Sequence, residues 1–148
     1  MNKRISQRAA GFTLLEILVA ILILSIGLLG LASLQASGLR SNHSGYLRSK
    51  ATIFAYEMAD RLRANRATAI AGNYNIVFSA DPPSGTAIQN VDRRDWLTAL
   101  AASLPSGDGK IDCSNTGLCM LEIEWVDNRN LAPTDPNYKV NFKMATQI

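Results

Sequence analysis

The 148-residue chain holds two cysteines, one histidine and five prolines, and only 18% of it is charged. Two cysteines exclude a disulfide-dense mini-protein and a four-cysteine zinc module. The lone histidine, His43, has no evident acid or nucleophile partner. There is no phosphate-binding loop, no catalytic-triad order and no zinc signature. These absences argue against an enzyme, and no catalytic, cofactor or metal residue is expected. Proline is missing from Phe12 to Arg66, so nothing there forbids an unbroken helix. The low charge comes with 47% apolar residues and a mean hydropathy of +0.03, which excludes a disordered tail. The length suits one domain with a modest core.

What is present is unevenly placed. The net charge of +3 and pI of about 9.1 hint at nucleic acid or a membrane. Yet Lys3, Arg4 and Arg8 carry the whole surplus, and the 137 residues after Gly11 balance twelve bases with twelve acids. From Phe12 to Leu34, 17 of 23 residues are apolar and Glu16 is the only charge. As a helix this segment is roughly 34 Å long, enough to span a bilayer's hydrocarbon. The preceding cations place the N-terminus in the cytoplasm and send the rest across. An ordinary secretory signal fits poorly, because its apolar run is shorter and ends at a small-x-small cleavage site. A plain signal anchor accounts for the span but not for Glu16, since a charge within a spanning helix costs ~2.5–3.5 kcal/mol on insertion scales.

The string Gly11-Phe12-Thr13-Leu14-Leu15-Glu16, after a short basic leader and before a long apolar helix, resembles the prepilin signal of type IV pilins and type II secretion pseudopilins. That resemblance implies cleavage by a prepilin peptidase between Gly11 and Phe12, with methylation of the new amine on Phe12. It implies a leader of 1–11, a membrane and filament-core helix of 12–34, and a periplasmic domain of 35–148. Glu16 matches the family's acidic position. Unpaired in an apolar bundle a carboxylate is heavily penalised, and a neighbouring subunit's Phe12 ammonium would neutralise it and set register.

The residues beyond the span point to an α+β fold independently. Leu47, Ala51, Phe54, Met58 and Leu62 form an apolar stripe, so one helix is expected from Phe12 to Arg66, with Gly27, Gly30, Gly38 and Gly45 as its weak points. Arg40, Arg48, Lys50, Arg61, Arg63 and Arg66 against Glu57 and Asp60 read as a solvated face, since no aromatics interleave for nucleic-acid stacking. A loop follows over 67–91, with a short strand at Tyr74 to Phe78. Asp92 is the expected N-cap of one extra short helix, with Val91 and Trp96 as its hydrophobic staple and Trp96, Leu97, Leu100, Ala101 and Leu104 as its buried face. Pro105 and Gly107 end it. From Gly109 the apolar period becomes two. Lys110 to Cys113, the run with Leu121, Ile123 and Trp125, and the run with Tyr138, Val140, Phe142 and Met144 read as strands of an antiparallel meander. Pairing the two longer runs sets Glu122 and Glu124 near Lys139 and Lys143. The loop Asp127 to Asn137 is expected to be exposed. A long N-terminal helix packed on a small antiparallel meander is the pilin architecture.

In the oxidising compartment that the signal implies, Cys113 and Cys119 are expected to form a disulfide closing a five-residue turn. Many major pilins close a loop nearer the C-terminus, where this chain has no cysteine. Asp108 and Asp112 lie in a Gly-rich loop without an EF-hand pattern and read as a polar turn. RDWLTALAASLPSGDGKI followed by CMLEIEWVD is similar to the minor pilins of the type IV pilus modification kind. That resemblance implies a minor subunit that primes pilus assembly and helps present a tip protein. Its partners would be prepilin peptidase, the major and other minor pilins, the inner-membrane assembly platform, a large tip adhesin and, before assembly, inner-membrane lipid. A minor pseudopilin of type II secretion, a DNA-uptake or adhesive pilin, and a plain anchored interaction domain remain as alternatives, although no specific nucleic acid is expected.

Overall fold

A computed structural model describes residues 11–127, 131–135 and 138–148. The leader cations Lys3, Arg4 and Arg8 lie outside these, as do Asn128–Asn130, Pro136 and Asn137 of the expected exposed loop. Among the described residues the elements are α1 (Leu14–Ala64), α2 (Arg66–Ile70), α3 (Ile88–Ser103), β1 (Asp108–Cys113), β2 (Leu118–Val126) and β3 (Lys139–Gln147). The strands form one antiparallel sheet in the order β1-β2-β3. The architecture is α+β, a long apolar N-terminal helix packed with a small antiparallel sheet, and it is consistent with the pilin fold.

The chain divides into two compact units, residues 1–42 and 43–148. In the first, α1 is apolar on every side from Leu14 to Leu34, and every described side chain is exposed. It is long and apolar enough to cross a membrane. In the second, the same helix becomes amphipathic and buries Leu47, Ala51, Ala55, Met58, Ala59 and Leu62. The spacing of three and four residues puts these on one face, and the three alanines let neighbouring groups approach the backbone closely. Phe54 is half-buried and packs at the core's margin.

The second unit's core joins that stripe to Trp96, Leu97 and Leu100 of α3 and to Ile111, Leu121, Ile123 and Trp125 of the sheet. Trp96 donates its indole N–H to the Phe54 carbonyl at 3.0 Å, which ties α3 to α1. Two glycines make room for this helix. A Cβ on Gly109 would lie 2.3 Å from the Trp96 ring, and one on Gly107 would lie 2.5 Å from the Leu100 carbonyl oxygen. These are the two glycines of the LPSGDGKI string, and their lack of a side chain is a packing requirement.

Four local expectations are corrected. The long helix ends at Ala64, and the five-residue α2 follows within the expected loop. The segment Tyr74 to Phe78 is not a strand; it makes one isolated bridge, Ile76 to Ile111, while Tyr74 and Ile76 turn into the core. The extra helix starts at Ile88 with Ala87 as N-cap, so Asp92 is not a cap and the staple does not form. Asn90 instead holds the entry by donating to the Ser84 carbonyl at 2.8 Å, and the Asp92 carboxylate is taken by tertiary partners. Ala101 is exposed rather than on the buried face. The helix does end where Leu104 turns extended before Pro105.

β2 is the middle strand, so its polar face is covered too. Glu122 is only 7% exposed. Lys143 reaches it at 2.8 Å and Lys110 at 3.0 Å from the two flanking strands, and Lys139 pairs with Glu124. The expected Glu–Lys pairing is present, with Lys110 as an added third cation.

Candidate processing and assembly site

Gly11 and Phe12 precede the first helical turn. Both are exposed, and a Cβ on Gly11 would meet nothing within 4 Å. Phe12 is 81% exposed. The Gly11–Phe12 peptide bond is thus open to an attacking enzyme, and cleavage there would leave a free amine two residues before Leu14, the first residue of α1.

Thr13 occupies the N-cap position of α1. Its hydroxyl accepts the Glu16 backbone N–H at 3.2 Å, and its carbonyl lies 3.1 Å from the same nitrogen. Thr13-x-x-Glu16 is the spacing of a capping box, in which a hydroxyl satisfies the N–H three residues on. Sequence reasoning missed this role of Thr13, although a threonine three residues before a glutamate at the head of an apolar run is a helix-start pattern. Glu16 sits in the first turn, where the helix dipole favours a negative charge. Its carboxylate is exposed and points to no described partner within the chain.

The other functional candidates lie in the second unit. Cys113 and Cys119 are joined by a disulfide and are directly opposed in the β1–β2 register. The turn between them uses Gly117 at φ +84°, a left-handed conformation suited to glycine. Asp108 and Asp112 lie in β1 rather than in the expected polar turn; Asp108 accepts backbone N–H groups from Ser79 and Gly109, and Asp112 is exposed. His43 is an exposed helix residue.

Sequence reasoning missed a polar cluster centred on Asp92. Tyr74 donates its hydroxyl to Asp92 at 2.6 Å, Arg61 approaches the same carboxylate at 3.2 Å, and Asn65 donates to the Tyr74 oxygen at 3.2 Å. Burial, then the hydrogen bond to Asp92, pushes the Tyr74 phenol up to about 12. Burial opposes the Arg61 charge, but Glu57 and Asp92 outweigh it and raise its pKa. Hydrogen bonds from Lys143 and Lys110 hold Glu122 below the usual glutamate range against the effect of burial. These groups lock α1 and the following loop to α3, and the strands to one another.

Residues 6–32 match the family described as the prokaryotic N-terminal methylation motif. No curated protein and no solved structure matches the chain. The matched segment takes in Gly11, Phe12, Thr13 and Glu16 and the first turns of α1. The matched segment is a type IV pilin-like prepilin signal, which indicates a precursor of the pilin-like or pseudopilin kind and implies processing by prepilin peptidase.

Proposed function

We propose that this chain is a minor pilin of a type IV pilus, of the PilV or type IV pilus modification kind. The methylation motif over residues 6–32 supports a pilin-like precursor, and the strings RDWLTALAASLPSGDGKI and CMLEIEWVD favour the minor pilin. The precursor sits in the bacterial inner membrane, with leader 1–11 in the cytoplasm, helix 12–34 in the bilayer and domain 35–148 in the periplasm. Prepilin peptidase cuts between Gly11 and Phe12 and methylates the Phe12 amine. The apolar helix then moves sideways into the filament core, where the ammonium of a neighbouring subunit neutralises Glu16. The role is structural. With other minor pilins the subunit primes assembly at the inner-membrane platform, joins the major pilin and helps present a tip adhesin.

Mass measurement of the mature N-terminus tests the processing step. The expected species begins at methylated Phe12, and an intact Met1 would refute it. Glu16→Val is expected to remain in the membrane and be processed, yet to enter filaments at least tenfold less. Normal incorporation of this variant would refute the pairing role. The same motif serves a type II secretion pseudopilin, and deleting the gene separates the two. Loss of pili alone selects the minor pilin, and loss of exoprotein secretion alone selects the pseudopilin.

A further inference from the structure

The two edges of the sheet are finished differently. On β1, the backbone groups facing away from β2 belong to Gly109, Ile111 and Cys113. Ile111 sets this parity, because it exchanges both backbone hydrogen bonds with Ile76, each at 3.0 Å. The other two are engaged as well. Cys113 donates to the Asn75 side-chain oxygen at 2.8 Å and accepts from its nitrogen at 3.3 Å, so one amide imitates a strand. The Gly109 N–H is taken by Asp108 at 2.7 Å. These contacts close β1 to another strand.

The same parity carries across to β3. Ile111 is opposite Leu121, and Leu121 is opposite Met144. Bonded and non-bonded pairs alternate in an antiparallel ladder, so Val140, Phe142 and Met144 bond inward to β2. The N–H and C=O groups of Asn141, Lys143 and Ala145 therefore point away from the sheet. Among the described residues these groups have no hydrogen-bond partner. β3 is nine residues long, without a proline, and Val140, Phe142 and Met144 form a half-buried apolar row at the margin of the core.

Charge indicates which strand would fit. Lys143 and Lys110 share one carboxylate, Glu122, which leaves positive charge beside the open edge, and Lys143 is 61% exposed. A second copy would set this positive edge against itself, and two registers place lysine directly opposite lysine. Antiparallel pairing of β3 with itself centred on Lys143 sets that lysine against its own copy, and a centring on Asn141 sets Lys139 against Lys143. Like charges directly opposite are destabilising.

We infer that β3 is a docking edge for an extended segment of another protein, with apolar residues extending the row of Val140, Phe142 and Met144 and acidic residues beside Lys139 and Lys143. Strand addition of this kind draws affinity from main-chain hydrogen bonds and specificity from alternate side chains. The inference rests on the sheet alone and is independent of the N-terminal motif.

The test uses the full chain in detergent micelles and two eight-residue peptides, one alternating valine with glutamate and the other valine with lysine. The glutamate peptide should slow amide exchange of Asn141, Lys143 and Ala145 at least tenfold and leave Gly109 and Cys113 unchanged. The lysine peptide should do neither. Asn141→Pro removes an outward N–H and spares the β2 ladder, so it should abolish the protection. Lys143→Glu, which needs no backbone change, should reverse the preference between the peptides. No slowing at millimolar glutamate peptide, equal slowing by both peptides, or β3-dependent self-association without peptide would each overturn the proposal.

Discussion

Between Leu14 and Asn42 every side chain of α1 is exposed, whereas between His43 and Ala64 the same helix buries six. The first stretch is rich in leucine and the second in alanine, and both are free of proline. They differ in what specifies each position. In the first, apolar residues occupy all sides, so a solvent of hydrocarbon suits them and one aliphatic side chain can replace another. In the second, the buried positions from Leu47 to Leu62 pack into one core with α3 and the sheet. Polarity governs the first stretch and shape governs the second. The exception in the first is Glu16, its one acidic residue, with Arg40 near its far end.

The largest test of this contrast is at the α3–β1 contact. Trp96→Ala should cost about 3–5 kcal/mol, as deletion of a buried aromatic generally does. Gly109→Val should cost a comparable amount, because the 2.3 Å approach of the Trp96 ring leaves no room for a side chain. Denaturant unfolding of the purified chain measures both. If either variant keeps wild-type stability, the claim that shape governs the second unit fails at its centre.

Next is the Cys113–Cys119 disulfide. A short closed loop contributes about 2 kcal/mol on the chain-entropy model. The double variant Cys113→Ser, Cys119→Ser should lose that amount and keep the sheet, since the hairpin retains its register pairs from Asp108 to Asp112. Membrane insertion should not change. Circular dichroism and thermal unfolding with and without reductant separate the two effects.

Much of the scaffold was legible because it follows periods. The apolar span, the stripe from Leu47 to Leu62, the alternation in β2 and β3 and the Glu–Lys pairing all come from spacing that local geometry imposes. What escaped was set by tertiary contact. Asp92 is a good cap by residue type, yet Tyr74 and Arg61 claim its carboxylate from elements 18 and 31 residues away. Tyr74 to Phe78 has strand composition, but only Ile76 finds a bridge. At the candidate site, Gly11, Phe12 and Glu16 were legible from one short string, whereas the capping role of Thr13 emerges when the helix start is located.

The Asp92 and Glu122 clusters give smaller, pH-dependent tests. Tyr74→Phe removes a hydrogen bond to a charged group, worth about 1.5 kcal/mol. The native phenol is raised to about 12, above the unfolded value of about 10. Its contribution is therefore complete below about pH 10 and is lost as pH rises through the native value. Tyr74→Phe should flatten that alkaline loss. Glu122 is shifted in the opposite direction. With a lowered native pKa, its contribution is present above about pH 4.3 and drains away as pH falls, so Glu122→Gln should flatten the acid side. Urea midpoints across pH check both. A pH profile unchanged in either variant would remove that cluster from the account of the second unit.

The smallest expected effect bears most directly on the comparison. Exchanging Ile21→Leu together with Leu24→Ile preserves apolar volume in a stretch where both side chains are exposed. If polarity alone specifies that stretch, unfolding of the second unit should shift by less than about 0.5 kcal/mol, the usual range for substitutions away from packed features. Ala55→Leu, further along α1, adds volume at a fully buried position and should cost about 1–3 kcal/mol through overpacking. Measured side by side, the two variants ask whether one helix obeys two rules. A cost for the Ile21 and Leu24 exchange equal to that of Ala55→Leu would show that the first stretch is also read by shape, and the contrast would then rest on Glu16 alone.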